Sequence, residues 1–360
     1  MFPAVRLAAM EREMPGAASC VSSRGPAIVT GYASGIGQWD TEASFSRKKW
    51  CQGASMISSQ SGNGGAASPA PHMALPDARS GPTALRMALG AQLRRLREAG
   101  DITTGEAAEA IRATHSKISR LERGRSAARQ RDVADLITLY GVTDEVEREQ
   151  LLSLTRQAAA PGWWQQYHDL LPRWFELYIG LEKAASIIRT YEVQFIHGLM
   201  QTEDYARAVI LIANSHAPAG EIDRRVSIRM KRQQLLTQPD APELWAVLDE
   251  AALRRAPCGR KVMRAQLEHL LQITELPNVT LQIVPFHVGP HAAAGGPFTI
   301  LRFSEPDVPD VVYLEQLNSA LYLDQPDDVI GYMTVMNQLC VQAETGSASR
   351  EILSELLKQA

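Results

Sequence analysis

No stretch of this 360-residue chain approaches the ~18 consecutive apolar residues that a membrane-spanning helix needs, so no membrane partner is expected. The first residues lack the basic patch and apolar run of a secretory signal, and none is expected. Cysteine is scarce. Cys20, Cys51, Cys258 and Cys340 stand far apart and form no CxxC pair. That spacing argues against a zinc ribbon and against a disulfide scaffold, and it fits a reducing cytosol; the expected location is cytoplasmic. There is no Gly-rich phosphate loop, no GxSxG and no internal repeat. What is present is ordinary globular composition, 45% apolar and 21% charged, in a chain long enough for two or more domains.

The net charge of −3 conceals an asymmetry. Leu85 to Arg131 carries eleven Arg or Lys against five Asp or Glu, net +6, whereas residues 1–84 are net +2 and residues 132–360 net −11. A basic island of about fifty residues on an acidic chain points to one segment that meets a polyanion.

Residues 1–80 are dominated by Ser, Gly, Ala and Pro and hold no apolar period, so a disordered low-complexity leader is expected there. Met73 precedes everything recognisable, which fits an upstream translation start or a leader that is not native. From Thr83 the character changes. Leu85, Leu89, Leu93 and Leu96 recur at helical spacing and Gly100 ends that helix. Thr103 and Glu106 have capping-box spacing and open a second helix through Ile111. Thr114 caps a third, with Ile118 and Leu121 inward and Gly124 closing it. Asp132–Tyr140 and Asp144–Ala158 give a fourth and a fifth. The domain so predicted, 83–158, ends before Pro161-Gly162. Beyond it, 160–360 reads as mixed. An aromatic-rich helical stretch from Trp163 to Ile188, interrupted by Pro172, precedes helices at 203–213 and 221–236. A strand at 243–248, a helix at 260–275 and strands at 279–285, 297–303 and 310–316 follow, with helices at 326–343 and 349–359. The expected fold class is α+β.

The second and third helices are joined by too few residues to lie antiparallel, so they must cross steeply, as in a helix-turn-helix. The third would lay its first turns in a major groove. With Ile118 and Leu121 inward, His115, Ser116, Ser119 and Arg120 share the outer face and Lys117 the flank. Arg120 suits a guanine edge, bidentate to O6 and N7. Lys117, Arg123 and Arg125 suit phosphate, which gives affinity without sequence choice. Thr103, Glu106, Ala107-Ala108, Thr114, Ile118, Ser119, Arg120, Leu121, Glu122 and Gly124 resemble the Xre, or lambda-repressor-like, helix-turn-helix family. The resemblance implies a five-helix all-α DNA-binding domain of that type. It adds Thr104, where the family commonly has Gln, and Thr114 to the expected DNA contacts. It also implies an ion pair between Arg97 of the first helix and Glu122 of the third. Double-stranded DNA and a homodimer are the expected partners, since one short helix reads only a few base pairs.

Further along, Trp163-Trp164, Leu181-Glu182 and Arg189-Thr190-Tyr191-Glu192 precede Gly198-Leu199-Met200-Gln201-Thr202-Glu203-Asp204-Tyr205-Ala206. With Arg229-Met230-Lys231-Arg232-Gln233, Leu248-Asp249-Glu250-Ala251-Ala252-Leu253 and Pro297-Phe298-Thr299, this run looks like the uncharacterised domain that follows Xre-type helix-turn-helix in actinobacterial regulators. It implies a transcriptional regulator whose C-terminal domain receives a small-molecule effector or a small protein partner. An antitoxin-like protein that sequesters a small partner and autoregulates its operon is the alternative. Enzyme chemistry is not expected. Glu203 and Asp204 after Thr202 read as helix-start charges, and His287 and His291 lack a third metal ligand. Nothing links Glu192, Asp249 or Glu250 to a nucleophile, and no cofactor is expected. The aromatic run Trp163, Trp164, Tyr167, Trp174, Phe175 and Tyr178 reads as core, or as the wall of a small-molecule pocket.

Overall fold

A computed structural model describes residues 81–257, 259–305 and 308–360. The leader expected at 1–80, with Cys20 and Cys51, and Cys258 lie outside the described residues.

The first helix, α1 (Pro82–Ala99), starts on a proline, which has no N–H to leave orphaned, and stops at Gly100. Its leucine stripe, Leu85, Leu89 and Leu93, faces α2 (Thr104–Ala110), α3 (His115–Glu122), α4 (Gln130–Leu139) and α5 (Glu145–Ala158). Ala107, Ile118, Leu136, Ile137 and Leu151, each completely or almost completely buried, complete this core. The opposite side of α1 is buried too. Met87 and Ala91 enter a second, larger core, so one helix serves both.

That larger core lies on a six-stranded mixed sheet ordered β3-β2-β1-β4-β5-β6. The strands are β1 (Ile187–Glu192), β2 (Glu243–Asp249), β3 (Val279–Val284), β4 (Phe298–Arg302), β5 (Val311–Glu315) and β6 (Ala320–Leu323). β1, β2 and β3 run parallel; β1 with β4, β4 with β5, and β5 with β6 pair antiparallel. Alternation sorts the faces. Leu244, Ala246 and Leu248 join one cluster with residues of α6 (Arg173–Ala184), α7 (Glu203–Ala213), α10 (Gly259–Ile273) and α12 (Gly346–Gln359). Val247, Ile300 and Val312 join the other, under α11 (Pro326–Gln342). Two more helices, α8 (Ala219–Gln233) and the short α9 (Glu250–Arg254), complete the elements. The fold is α+β: a helical N-terminal region, then a sheet with helices on both faces.

One expectation fails. Trp163 to Ile188 is not a single interrupted helix. A 3-10 turn at Trp163–Tyr167 precedes α6, and β1 begins at Ile187, with two residues between it and the end of α6. β1 is central, with neighbours on both sides, and its buried residues fall on both faces, so it carries no clean period of two. β6 and α9 are also additions. Among the described residues no helix is long and apolar enough to cross a membrane.

Candidate functional site

The helices α2 and α3 are each capped at their first turn. Thr103 and Glu106 form a reciprocal cap: the Glu106 N–H donates to Thr103 Oγ1 at 3.2 Å and the Thr103 N–H donates to Glu106 Oε2 at 2.7 Å. Thr114 caps α3, accepting from the Lys117 N–H at 3.3 Å. Two close approaches then fix α3 on α1. At Gly90 a Cβ would stand 2.5 Å from the carbonyl oxygens of both Leu121 and Glu122, so only glycine admits this crossing. Gly124 turns the chain away at φ +65, with the Met87 backbone 2.6 Å from where a Cβ would sit.

Across that contact Arg97 grips Glu122 with two parallel bonds, Nε to Oε1 at 2.6 Å and Nη2 to Oε2 at 3.1 Å, and donates a third to the Ile102 carbonyl at 2.9 Å. Glu122's hydrogen bonds raise Arg97's pKa further, against the opposing effect of burial. The pair orients α3.

With Ile118 and Leu121 buried, α3 presents Thr114, His115, Ser116 and Arg120 to solvent, with Ser119 half-buried beside them. Thr104 is half-buried at the first position of α2. The three remaining cations are engaged internally. Lys117 Nζ lies 2.5 Å from Asp132 of α4. Arg125 Nη2 lies 2.7 Å from Asp324 Oδ2 and donates to the Tyr322 carbonyl at 3.1 Å, while Arg123 Nε approaches the same Asp324 oxygen at 3.6 Å. Asp324, between β6 and α11, thus gathers both arginines beyond the end of α3. No local motif distinguishes it in the sequence, because the contact joins residues about two hundred positions apart.

A cavity of about 680 Å³ opens in the sheet domain. Trp174, Phe175 and Tyr178 line it; Trp163, Trp164 and Tyr167 instead pack near Ile179 and Ile228. Tyr178 stacks on Tyr313 with ring centroids 4.1 Å apart, and Tyr313 lies 5.3 Å from Tyr322. Tyr322 donates to the Trp174 carbonyl, and its ring is 6.0 Å from the Arg125 guanidinium. Rings therefore run without a break from the cavity wall to the Asp324 contact.

Beneath that wall Glu182 and Arg232 form a fully buried ion pair, at 2.7 and 2.9 Å. Burial drives the adjacent His197 down to about 4, which keeps it neutral. Glu192, at the end of β1, also lines the cavity. Burial and then Glu315 push its carboxyl up to about 8. An unfolded chain ionises this carboxyl near ~4.3, so between about pH 4.3 and 8 the folded state holds the extra proton and loses stability as pH rises. Glu192→Gln is expected to raise the melting temperature more at pH 8 than at pH 5; equal gains at both would contradict the shift.

The other carboxylates have structural partners. Glu203 and Asp204 lie exposed on the first turn of α7, which Thr202 caps, and Glu203 pairs with Arg207. Asp249 caps α9 and Glu250 accepts from the Phe286 N–H. His291 bonds the Tyr191 hydroxyl at 2.9 Å, and His287 is exposed.

Two protein families match the chain. A helix-turn-helix domain covers residues 88–151, and a domain of unknown function, DUF5753, covers residues 175–355. No curated protein matches, and neither does any solved structure. A helix-turn-helix domain supports a DNA-binding regulator in general.

Proposed function

The chain belongs to the DUF5753 family and carries a helix-turn-helix domain ahead of it, and from that premise we propose a sequence-specific transcriptional regulator of Xre type that reads DNA with α3. The observation that carries the reading is the exposed, capped face of α3, with Thr114, His115, Ser116 and Arg120 turned to solvent on a helix that Arg97 and Glu122 hold in place. Arg120 and Ser116 read base edges, His115 and Ser119 assist, and Thr104 and Thr114 meet phosphate at helix starts. Lys117, Arg123 and Arg125 are the phosphate cations, and each must exchange an internal carboxylate for DNA. The regulator acts as a homodimer on two half-sites. The sheet domain receives a signal or a partner, and no catalytic step belongs to this reading.

The paired test contrasts two substitutions in a binding assay over operator variants. Arg120→Ala is expected to lose ~1–3 kcal/mol of discrimination at one base position. Lys117→Ala is expected to weaken binding to every sequence alike and to flatten the log–log salt slope by ~0.9. Unchanged sequence preference in Arg120→Ala would remove Arg120 from the residues that read bases.

A further inference from the structure

The cavity between α6, α8 and the sheet is lined by ionisable groups that no ion pair satisfies. Arg229, on α8, lines it and makes one hydrogen bond, to the neutral Gln201 side chain at 3.2 Å. Glu192 lies at the end of β1 and accepts from the Thr190 hydroxyl at 3.4 Å; Glu315, at the end of β5, accepts from the Tyr313 hydroxyl at 2.8 Å. Among the described residues none of the three forms an ion pair. The cavity's other arginines are satisfied, Arg232 by Glu182 and Arg225 by Glu221. Two carboxyl groups and one guanidinium therefore line one cavity without an ion pair among them, Glu192 and Arg229 half-buried and Glu315 exposed. Tyr178, Tyr313, Phe298, Ile196 and Ile210 supply the apolar part of the lining.

We propose that this cavity binds a small amino-acid-like zwitterion with an apolar, preferably aromatic, body. Its carboxylate meets the guanidinium of Arg229, which has donors to spare and a planar fork suited to it. Its ammonium falls between Glu192 and Glu315. Its body lies against the apolar and aromatic lining, in a space of the size that small-molecule sites occupy. A simple amine leaves Arg229 unpaired, and a simple carboxylate adds a negative charge beside Glu315 with no ammonium to favour ionised Glu192; only a ligand with both charges answers every group. The titration behaviour agrees with the geometry. Burial and Arg232 push Arg229 down to about 10, and burial and Glu315 push Glu192 up to about 8, as expected of charges that lack counter-ions.

This deepens the sensing part of the proposed function and rests on it only for the biological role. Binding is measured on the full chain without DNA, so the two readings fail separately. The probes are three compounds of one shape: tryptophan, tryptamine and indole-3-propionate, titrated by calorimetry at pH 7. Tryptophan is expected to bind at least tenfold more tightly than either singly charged analogue. Arg229→Gln is expected to erase its advantage over tryptamine, and the Glu192→Gln, Glu315→Gln double variant its advantage over indole-3-propionate, with each variant's folding checked by circular dichroism. Equal or tighter binding of either analogue overturns the assignment, as does an absence of tryptophan binding at millimolar concentration.

Discussion

Glu182→Gln is expected to cost ~3–5 kcal/mol of folding stability, the range seen when one partner of a buried ion pair is removed. Glu182 and Arg232 are 1% and 6% exposed, so the guanidinium that loses its carboxylate stays largely out of water. Its neighbours offer little compensation. Arg232 lies 5.1 Å from the Phe175 ring and 5.4 Å from the Tyr178 ring, and His197 is a neutral group. The pair is not thereby a net source of stability. A Glu182→Leu, Arg232→Met double variant is expected to recover most of the loss, because two apolar residues of similar size avoid desolvating two charges. Urea unfolding of the two single variants and the double completes the cycle. A single-variant loss below ~1 kcal/mol would mean that water reaches the pair. The pH dependence has a definite sign. Burial raises Glu182's pKa, but Arg232's charge and hydrogen bonds outweigh it and leave the carboxyl below its ordinary value. The stability it contributes is therefore present above the unfolded carboxyl's ~4.3 and is lost as pH falls through the lower, folded value. Glu192 runs the other way, so the two variants separate in an acid titration.

Local patterns told most about the helical region. The Thr103–Glu106 box, the Thr114 cap and the turn at Gly124 are each fixed within a few residues, and the structure has all three. Strands β2 to β5 were readable for a similar reason, since each is a short apolar run bounded by turn residues. What escaped depends on distant partners. Leu85, Leu89 and Leu93 announce one buried face of α1, but Met87 is buried and Ala91 half-buried only because α6 and the sheet domain pack on the other side. Gly90 reads as an ordinary weak helix residue until the carbonyls of Leu121 and Glu122 are seen beside it. At the site, the outer face of α3 follows from its period. The engagement of Lys117 by Asp132, and of Arg123 and Arg125 by Asp324, does not, because any of the thirty acidic residues after Arg131 could have been the partner. The aromatic run divides for the same reason: chain direction after Pro172 decides that Trp174, Phe175 and Tyr178 reach the cavity and Trp163 and Trp164 do not.

Asp324→Asn is expected to tighten DNA binding at low salt, by up to ~60-fold at ~0.1 M, and to steepen its salt dependence. The number follows from counterion release. Each phosphate contact adds ~0.9 to the slope of log K against log salt, so two arginines freed together add ~1.8. In the protein as it stands, both guanidinia converge on one Asp324 oxygen, at 2.7 and 3.6 Å, and a phosphate must displace that carboxylate before it gains either cation. Asparagine keeps the side-chain shape and a carbonyl oxygen for one weaker bond, but no longer competes as an anion. The gain should be indifferent to DNA sequence, since phosphate contacts carry none. Asp327→Asn, three residues on at the exposed start of α11, changes net charge equally and serves as the control. It is expected to shift affinity by less than about twofold, as a screened charge should. If both variants tighten binding alike, the effect is overall charge and Asp324 has no special place. If Asp324→Asn changes neither affinity nor salt slope, the carboxylate does not hold Arg123 and Arg125 back from DNA. The intermediate result would bear on regulation. Tyr322 precedes Asp324 by two residues and joins the ring series that begins at the cavity wall, so an occupant pressing on Tyr178 and Tyr313 acts on the strand that carries the aspartate. A cavity substitution such as Tyr313→Leu that reproduces part of the Asp324→Asn slope change, with α3 untouched, would tie the two ends together.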